Sequence, residues 1–226
     1  MGRRIIADVT SGAAEMVLVL ELPLPVKAPA QAHASVAQFI ERAAAGDKTA
    51  FEQIMVVSQQ RVMSMTWRML GNEADARDAT QEVFLRVYKY LGRFRQDQDF
   101  FAWLYRVTIN VCRDFLKQRR QHTDRFLPLA EETETAALNV AVDQDDAEQA
   151  VIQTQQRVLM ARAMATLPYK ERAAIVLRDL EGLSTEEVAR IMKSRPTTVR
   201  SQISSARRKI RIYCNQYLTG KGRQQQ

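Results

Sequence analysis

Leu167–Ile210 reads LPYKERAAIVLRDLEGLSTEEVARIMKSRPTTVRSQISSARRKI. Its second half predicts two short helices. Ser184 and Glu187 form an S-x-x-E capping box, and Leu183 can staple onto Val188, so a helix begins at this point. It ends near Met192. A short basic turn follows, and Pro196 opens a last helix, where its missing N–H costs nothing. At about 100° per residue, Val199, Ile203, Ala206 and Ile210 share one stripe. Thr197, Arg200, Ser201, Ser204, Arg208 and Arg211 fall opposite. Short hydroxyls near a helix N-terminus let it sit deep in a major groove, and arginines further along reach phosphates or guanine edges. A basic stripe alone would be an ordinary solvated face. The capped preceding helix, the tight turn and the hydroxyl-rich face together point to a helix-turn-helix.

Working outward, Tyr169–Leu180 predicts a helix with Gly182 just past its end. Ala147–Thr166 predicts another, closed by Leu167-Pro168. Upstream, from Gln121 to about Asp146, the periodicity is lost, and the charges from Glu131 to Glu148 are all acidic. That composition reads as a flexible linker, residues 121–146. Residues 36–120 form a second helical block. Val36, Phe39, Ile40 and Ala43 mark its first helix. Asp47 caps the next, whose buried stripe is Phe51, Ile54, Met55, Val62, Met65 and Met69, with Gly71 at the C′ position. Asn72 caps a third helix, with Val83, Phe84, Val87 and Leu91 inward and Gly92 as its stop. After a loop from Arg93, Asp99 caps a fourth that runs from Phe100 to about Arg120. Residues 1–35, interrupted by Pro23, Pro25 and Pro29, read as a flexible extension, and residues 217–226 as a polar tail. The expected fold is all-α: two helical domains, 36–120 and 147–216, joined by a flexible linker.

The fourth helix carries a second polar stripe. Trp103, Arg106, Asn110, Arg113, Lys117 and Arg120 lie within roughly a 100° sector, while Leu104, Val107, Val111 and Phe115 face the core. Cations that hold phosphates and an amide that can read a base edge suit nucleic acid. Trp103 reads equally well as packing at the domain edge. On the third helix Asp75, Asp78 and Glu82 put acid outward beside Gln81. Such a patch repels DNA and more plausibly meets a basic protein.

Charge and composition narrow the classes. The formal net charge is +7, which favours a polyanion partner. From Lys193 to Arg211 every charged residue is basic. Two cysteines, Cys112 and Cys214, and two histidines, His33 and His122, form no metal-ligand spacing. Packed free thiols in a reducing cytoplasm are the expectation. The longest apolar run near the start, Met16–Leu20, is far short of the ~20 residues of a membrane span, so no membrane insertion is expected. Clustered catalytic carboxylates, a Gly-rich phosphate loop and a Cys/His set are missing from the pattern, so no enzyme, cofactor or metal site is expected. A stand-alone helix-turn-helix regulator remains as an alternative, although it would have no use for the acidic third helix.

Two stretches resemble a known family. Asp75–Arg120 contains Asp78, Gln81, Glu82, Val83 and Phe84, then Ala102-Trp103-Leu104-Tyr105-Arg106 and Asn110. It is similar to the second conserved region of bacterial extracytoplasmic-function sigma factors. Leu167–Ile210, with DLEGLSTEEVA and TTVRS, is similar to their fourth region. The resemblance implies a transcription initiation factor that binds core RNA polymerase and promoter DNA and is silenced by an anti-sigma protein. It implies that Asp75, Asp78, Gln81, Glu82 and Phe84 meet the clamp of the β′ subunit, with the β flap as a second contact. The loop Arg93–Phe100 and Trp103, Arg106, Asn110, Arg113, Lys117 and Arg120 would read the −10 element. Arg195, Thr197, Thr198, Arg200, Ser201, Ser204 and Arg208 would read the −35 element. One position departs from the pattern: Lys193 stands where the family has Gly, and a non-glycine residue in a left-handed turn is mildly strained.

Overall fold

The computed structural model describes residues 30–95, 97–125 and 158–223. Among these, all regular structure is helical. The first block holds α1 (Ala30–Ala44), α2 (Lys48–Leu70), α3 (Glu73–Tyr90), a 3-10 turn (Leu91–Arg93) and α4 (Phe100–Arg125). The second holds α5 (helical residues 158–165), α6 (Tyr169–Ile175), a π turn (Val176–Leu180), α7 (Thr185–Met192) and α8 (Pro196–Arg223). The all-α class and the helix-turn-helix of α7 and α8 are as the sequence predicts.

The caps explain where the helices start. Asp47 accepts a hydrogen bond from the Ala50 amide at 3.1 Å, and Asn72 accepts one from the Asp75 amide at 2.7 Å. Asp99 accepts from Phe101 at 2.8 Å. Each satisfies an amide that the first helical turn leaves open. Ser184 and Glu187 make both halves of the capping box. Gly71 ends α2 at φ 81°, a conformation that favours glycine.

Several boundaries differ from the sequence reading. α1 begins at Ala30, inside the stretch assigned to a flexible extension. Ala30 is the first described residue, and the alanine-rich run Ala30-Gln-Ala-His-Ala favours helix. α4 continues to Arg125 and α8 to Arg223, because no proline stops either. Gly92 lies in the 3-10 turn rather than past a clean helix end. Tyr169–Leu180 is not one regular helix: its last five residues wind as a π turn, with the Glu181 amide donating to the Val176 carbonyl. The remaining N-terminal extension, most of the acidic linker and the start of the helix assigned to Ala147–Thr166 lie outside the described residues.

The core of the first block is built on Ile54, Met65, Met69, Val83, Val87, Leu91 and Leu104, and that of the second on Ile175, Leu177, Val188 and Val199, all at most 2% exposed. The buried side chains form one continuous cluster across both blocks. Cys112 and Cys214 are buried free thiols, and burial pushes the Cys112 thiol up to about 12.

Candidate nucleic-acid interface

α8 has two unlike faces. Val199, Ile203, Ala206 and Ile210 are buried. Arg195, Thr197, Thr198, Arg200, Ser201, Ser204 and Arg208 are all exposed. The division follows the helical period. Not every cation of this helix faces solvent alone. Arg207 donates to Asp179 at 2.7 and 2.9 Å, and that hydrogen bond raises its pKa above the ordinary arginine value. Lys209 binds Glu171 at 2.9 Å. Both tie α8 to its own block. Arg200 reaches Glu186 of α7 at 3.3 Å, an exposed pair that a phosphate can replace at small cost.

The turn before α8 depends on Lys193, which sits at φ 50°, ψ 49°. It is the one non-glycine residue at positive φ among the described residues. Its amide and that of Ser194 still close the end of α7, so the turn forms without glycine.

In the first block, α4 exposes Arg113, Lys117 and Arg120 and half-exposes Asn110. Trp103 is half-buried, with ring centroids 5.2 Å from Phe94 and 5.8 Å from Phe100. It packs at the domain edge with part of its ring open. Arg106 departs from its expected outward role. Its Nη2 donates to the Arg190 carbonyl of α7 at 2.8 Å, and its Nε is buried without an acceptor among the described residues.

On α3, Asp78 and Gln81 are exposed, and Glu82 is half-buried in a pair with Arg86 at 2.7 Å. Asp75 receives Asn72 Nδ2 at 2.7 Å. Phe84 is not on this surface. It is 9% exposed and belongs to the core, because the helical period sets it beside Val83 and Val87. Its expected contact with a partner is therefore withdrawn.

A feature absent from the sequence reading joins the blocks. Glu181, its side chain 1% exposed, receives Arg68 Nη1 at 3.3 Å and lies 3.8 Å from Arg61 Nε. The Tyr105 hydroxyl donates to it at 3.2 Å. Burial pushes the Glu181 carboxyl up from its ordinary value, against the pull of Arg68, Arg61 and Tyr105. Burial lowers Arg68, which Glu181 partly restores. Arg172 of α6, also buried, donates to the Met69 carbonyl of α2 at 2.6 Å and to Ala165 and Leu167. The Tyr169 hydroxyl donates to the Ile109 carbonyl at 2.8 Å. The sequence signals were faint: an acid just before Gly182, and a tyrosine interrupting an apolar stretch of α4. No single-helix pattern pairs them.

Residues 56–122 match the family model for sigma-70 region 2, and residues 157–210 match that for sigma-70, region 4. The RNA polymerase sigma-H factor of Pseudomonas aeruginosa is 33% identical over 174 residues, covering 76% of this chain and 90% of that protein. The ECF RNA polymerase sigma-E factor of Escherichia coli K12 is 34% identical over 172 residues, with 76% and 90% covered. Among solved structures, the sigma factor RpoE in complex with the anti-sigma factor NepR from Bartonella quintana superposes with a TM-score of 0.53. It shares 20% identity and covers 73% of this chain and 96% of that one.

Proposed function

This chain belongs to the extracytoplasmic-function sigma factors of RNA polymerase, and we propose a division of labour among its helices based on the faces they expose. Members of this family are initiation factors without catalytic chemistry: they join core polymerase and direct it to promoters. The observation that carries the division is α8. Its apolar stripe is buried, while seven residues able to contact bases and phosphates are exposed together behind a capped helix.

In this reading α8 enters the major groove of the −35 element. Thr197, Thr198 and Ser201 lie near its N-terminus, and Arg195, Arg200, Ser204 and Arg208 flank them. The far part of α4, with Asn110, Arg113, Lys117 and Arg120, meets the −10 element, together with Trp103, Arg106 and the loop from Arg93. An unstacked base held there would offset the few kcal/mol of its unstacking. Asp75, Asp78, Gln81 and Glu82 of α3 form an acidic surface for the β′ clamp, with the β flap as the contact of the second block. Core polymerase fixes the spacing of the two readers, so two weak contacts act as one bivalent contact. An anti-sigma protein that covers these surfaces would silence the factor. Membership of the family and the fold shared with RpoE, solved in complex with NepR, support this reading.

Run-off transcription with purified core polymerase, on genomic fragments that include the chain's own upstream region, tests this division. The wild type should give specific transcripts. An Asp78→Lys variant should lose them at limiting factor concentration while keeping its fold by circular dichroism. Tight operator binding without polymerase, and no transcript with it, would instead favour the stand-alone regulator.

A further inference from the structure

The contacts between the blocks place α7 over the part of α4 assigned to −10 recognition. Arg106 is bound to the Arg190 carbonyl. An open groove is walled by Trp103 and Arg106 on one side and Glu187, Arg190 and Ile191 on the other. Further along α4, Tyr169 is fastened to the Ile109 carbonyl beside Asn110. Behind these contacts lies the Glu181 cluster. A carboxylate is rarely buried unless it is paired. Here the counter-ions, Arg61 and Arg68, come entirely from the other block.

We infer that the free chain is closed on itself by the Glu181–Arg68–Arg61 latch, and that closure withholds Arg106 and the adjoining face of α4 from DNA. The inference rests on the proposed −10 role of α4. The latch is reversible for a physical reason. When the blocks part, Glu181, Arg61 and Arg68 return to water, and rehydration offsets the lost attraction. The interface is also imperfect. Trp67 Nε1, Arg106 Nε and Arg172 Nε are buried there without an acceptor among the described residues. The blocks also share buried apolar side chains, so opening gives up apolar burial as well as the ion pairs, and the buried unpaired nitrogens offset part of that cost. A partner that binds only the open chain can therefore shift it, and its apparent affinity is reduced by the fraction that is open.

The test uses the full chain with three substitutions. Glu181→Gln keeps the side-chain volume and removes the charge. Arg68→Ala removes the main counter-ion from the other block. Asp179→Asn, next to the latch in sequence, disturbs only the pair with Arg207 within the second block. Small-angle scattering reads the separation of the blocks. Emission from the two tryptophans, Trp67 and Trp103, reads their exposure, since both line crevices between the blocks. Glu181→Gln and Arg68→Ala should raise the radius of gyration and red-shift the emission at unchanged helix content. They should also tighten binding of the free protein to a single-stranded −10 oligonucleotide, by about tenfold if one wild-type molecule in ten is open. Asp179→Asn should match the wild type. Should Glu181→Gln lose helix content, Arg68→Ala decides. Unchanged scattering and emission in the folded variants would overturn the latch, as would wild-type scattering from two separated lobes. An opened variant that binds the oligonucleotide no better would leave the latch standing and remove the −10 role from the covered face.

Discussion

Single residues set the ends of the helices, and their chemistry is testable one at a time. The Ala50 amide and Arg42 hold the Asp47 carboxyl below its ordinary value of 3.8. A depressed folded value means that this contribution to stability is present above 3.8 and is lost as pH falls through the folded value. Asp47→Asn keeps the cap acceptor and removes the titration. Urea midpoints of the variant should therefore fall less steeply than those of the wild type on acidification below 3.8. Lys193 offers a second test. A left-handed conformation costs a non-glycine residue roughly 1–2 kcal/mol. Lys193→Gly should recover part of this, about 1 kcal/mol, read as a higher thermal midpoint. Transcription from −35-dependent promoters should survive, because the turn already has the geometry that glycine would adopt.

At the scale of the element, the two faces of α8 should respond to different measurements. Ile203 is buried under the helix, and Ile203→Ala should destabilise the second block by about 2–5 kcal/mol, seen in denaturation. Arg208 is exposed on the opposite face. Arg208→Ala should leave denaturation unchanged and weaken promoter binding by the polymerase complex. If Arg208 contacts a phosphate, the slope of log affinity against log salt should become shallower by about 0.9. Equal loss of stability in both variants would contradict the division of the helix into a packing face and a reading face. The π turn before Glu181 belongs to the same scale. Residues 176–180 wind more widely than an α-helix, and the turn delivers Glu181 to a buried position facing α2.

For the whole molecule, surface and buried electrostatics should separate with salt. Promoter binding leans on exposed cations and should weaken steeply as salt rises. The Glu181 pairs are screened far less, being sealed between the blocks. The radius of gyration of the free chain should therefore stay constant from about 0.05 to 0.5 M salt, while promoter affinity falls by orders of magnitude. Breaking the latch by substitution should act differently from salt. Removing one partner of a buried pair leaves the other uncompensated, at roughly 3–5 kcal/mol in the closed form. The open form carries no such penalty, so the substitution shifts the balance between forms rather than unfolding either block.

Much of this protein was legible along the chain because its signals are local. The capping box at Ser184 and Glu187, the caps at Asp47 and Asn72, and the opposed stripes of α8 each depend on neighbours within a turn or two. Backbone hydrogen bonding and the 3.6-residue period act at that range. The same period places Phe84 inward beside Val83 and Val87, where the structure has it; only the family resemblance sets it on the α3 surface. The latch was not legible. Glu181 and Arg68 are 113 residues apart, and nothing in either segment names the other. Whether a charged side chain is solvated or buried against a counter-ion depends on which surfaces meet after the helices form. Only the tertiary structure decided that, and with it the placement of Arg106 under α7 rather than in solvent.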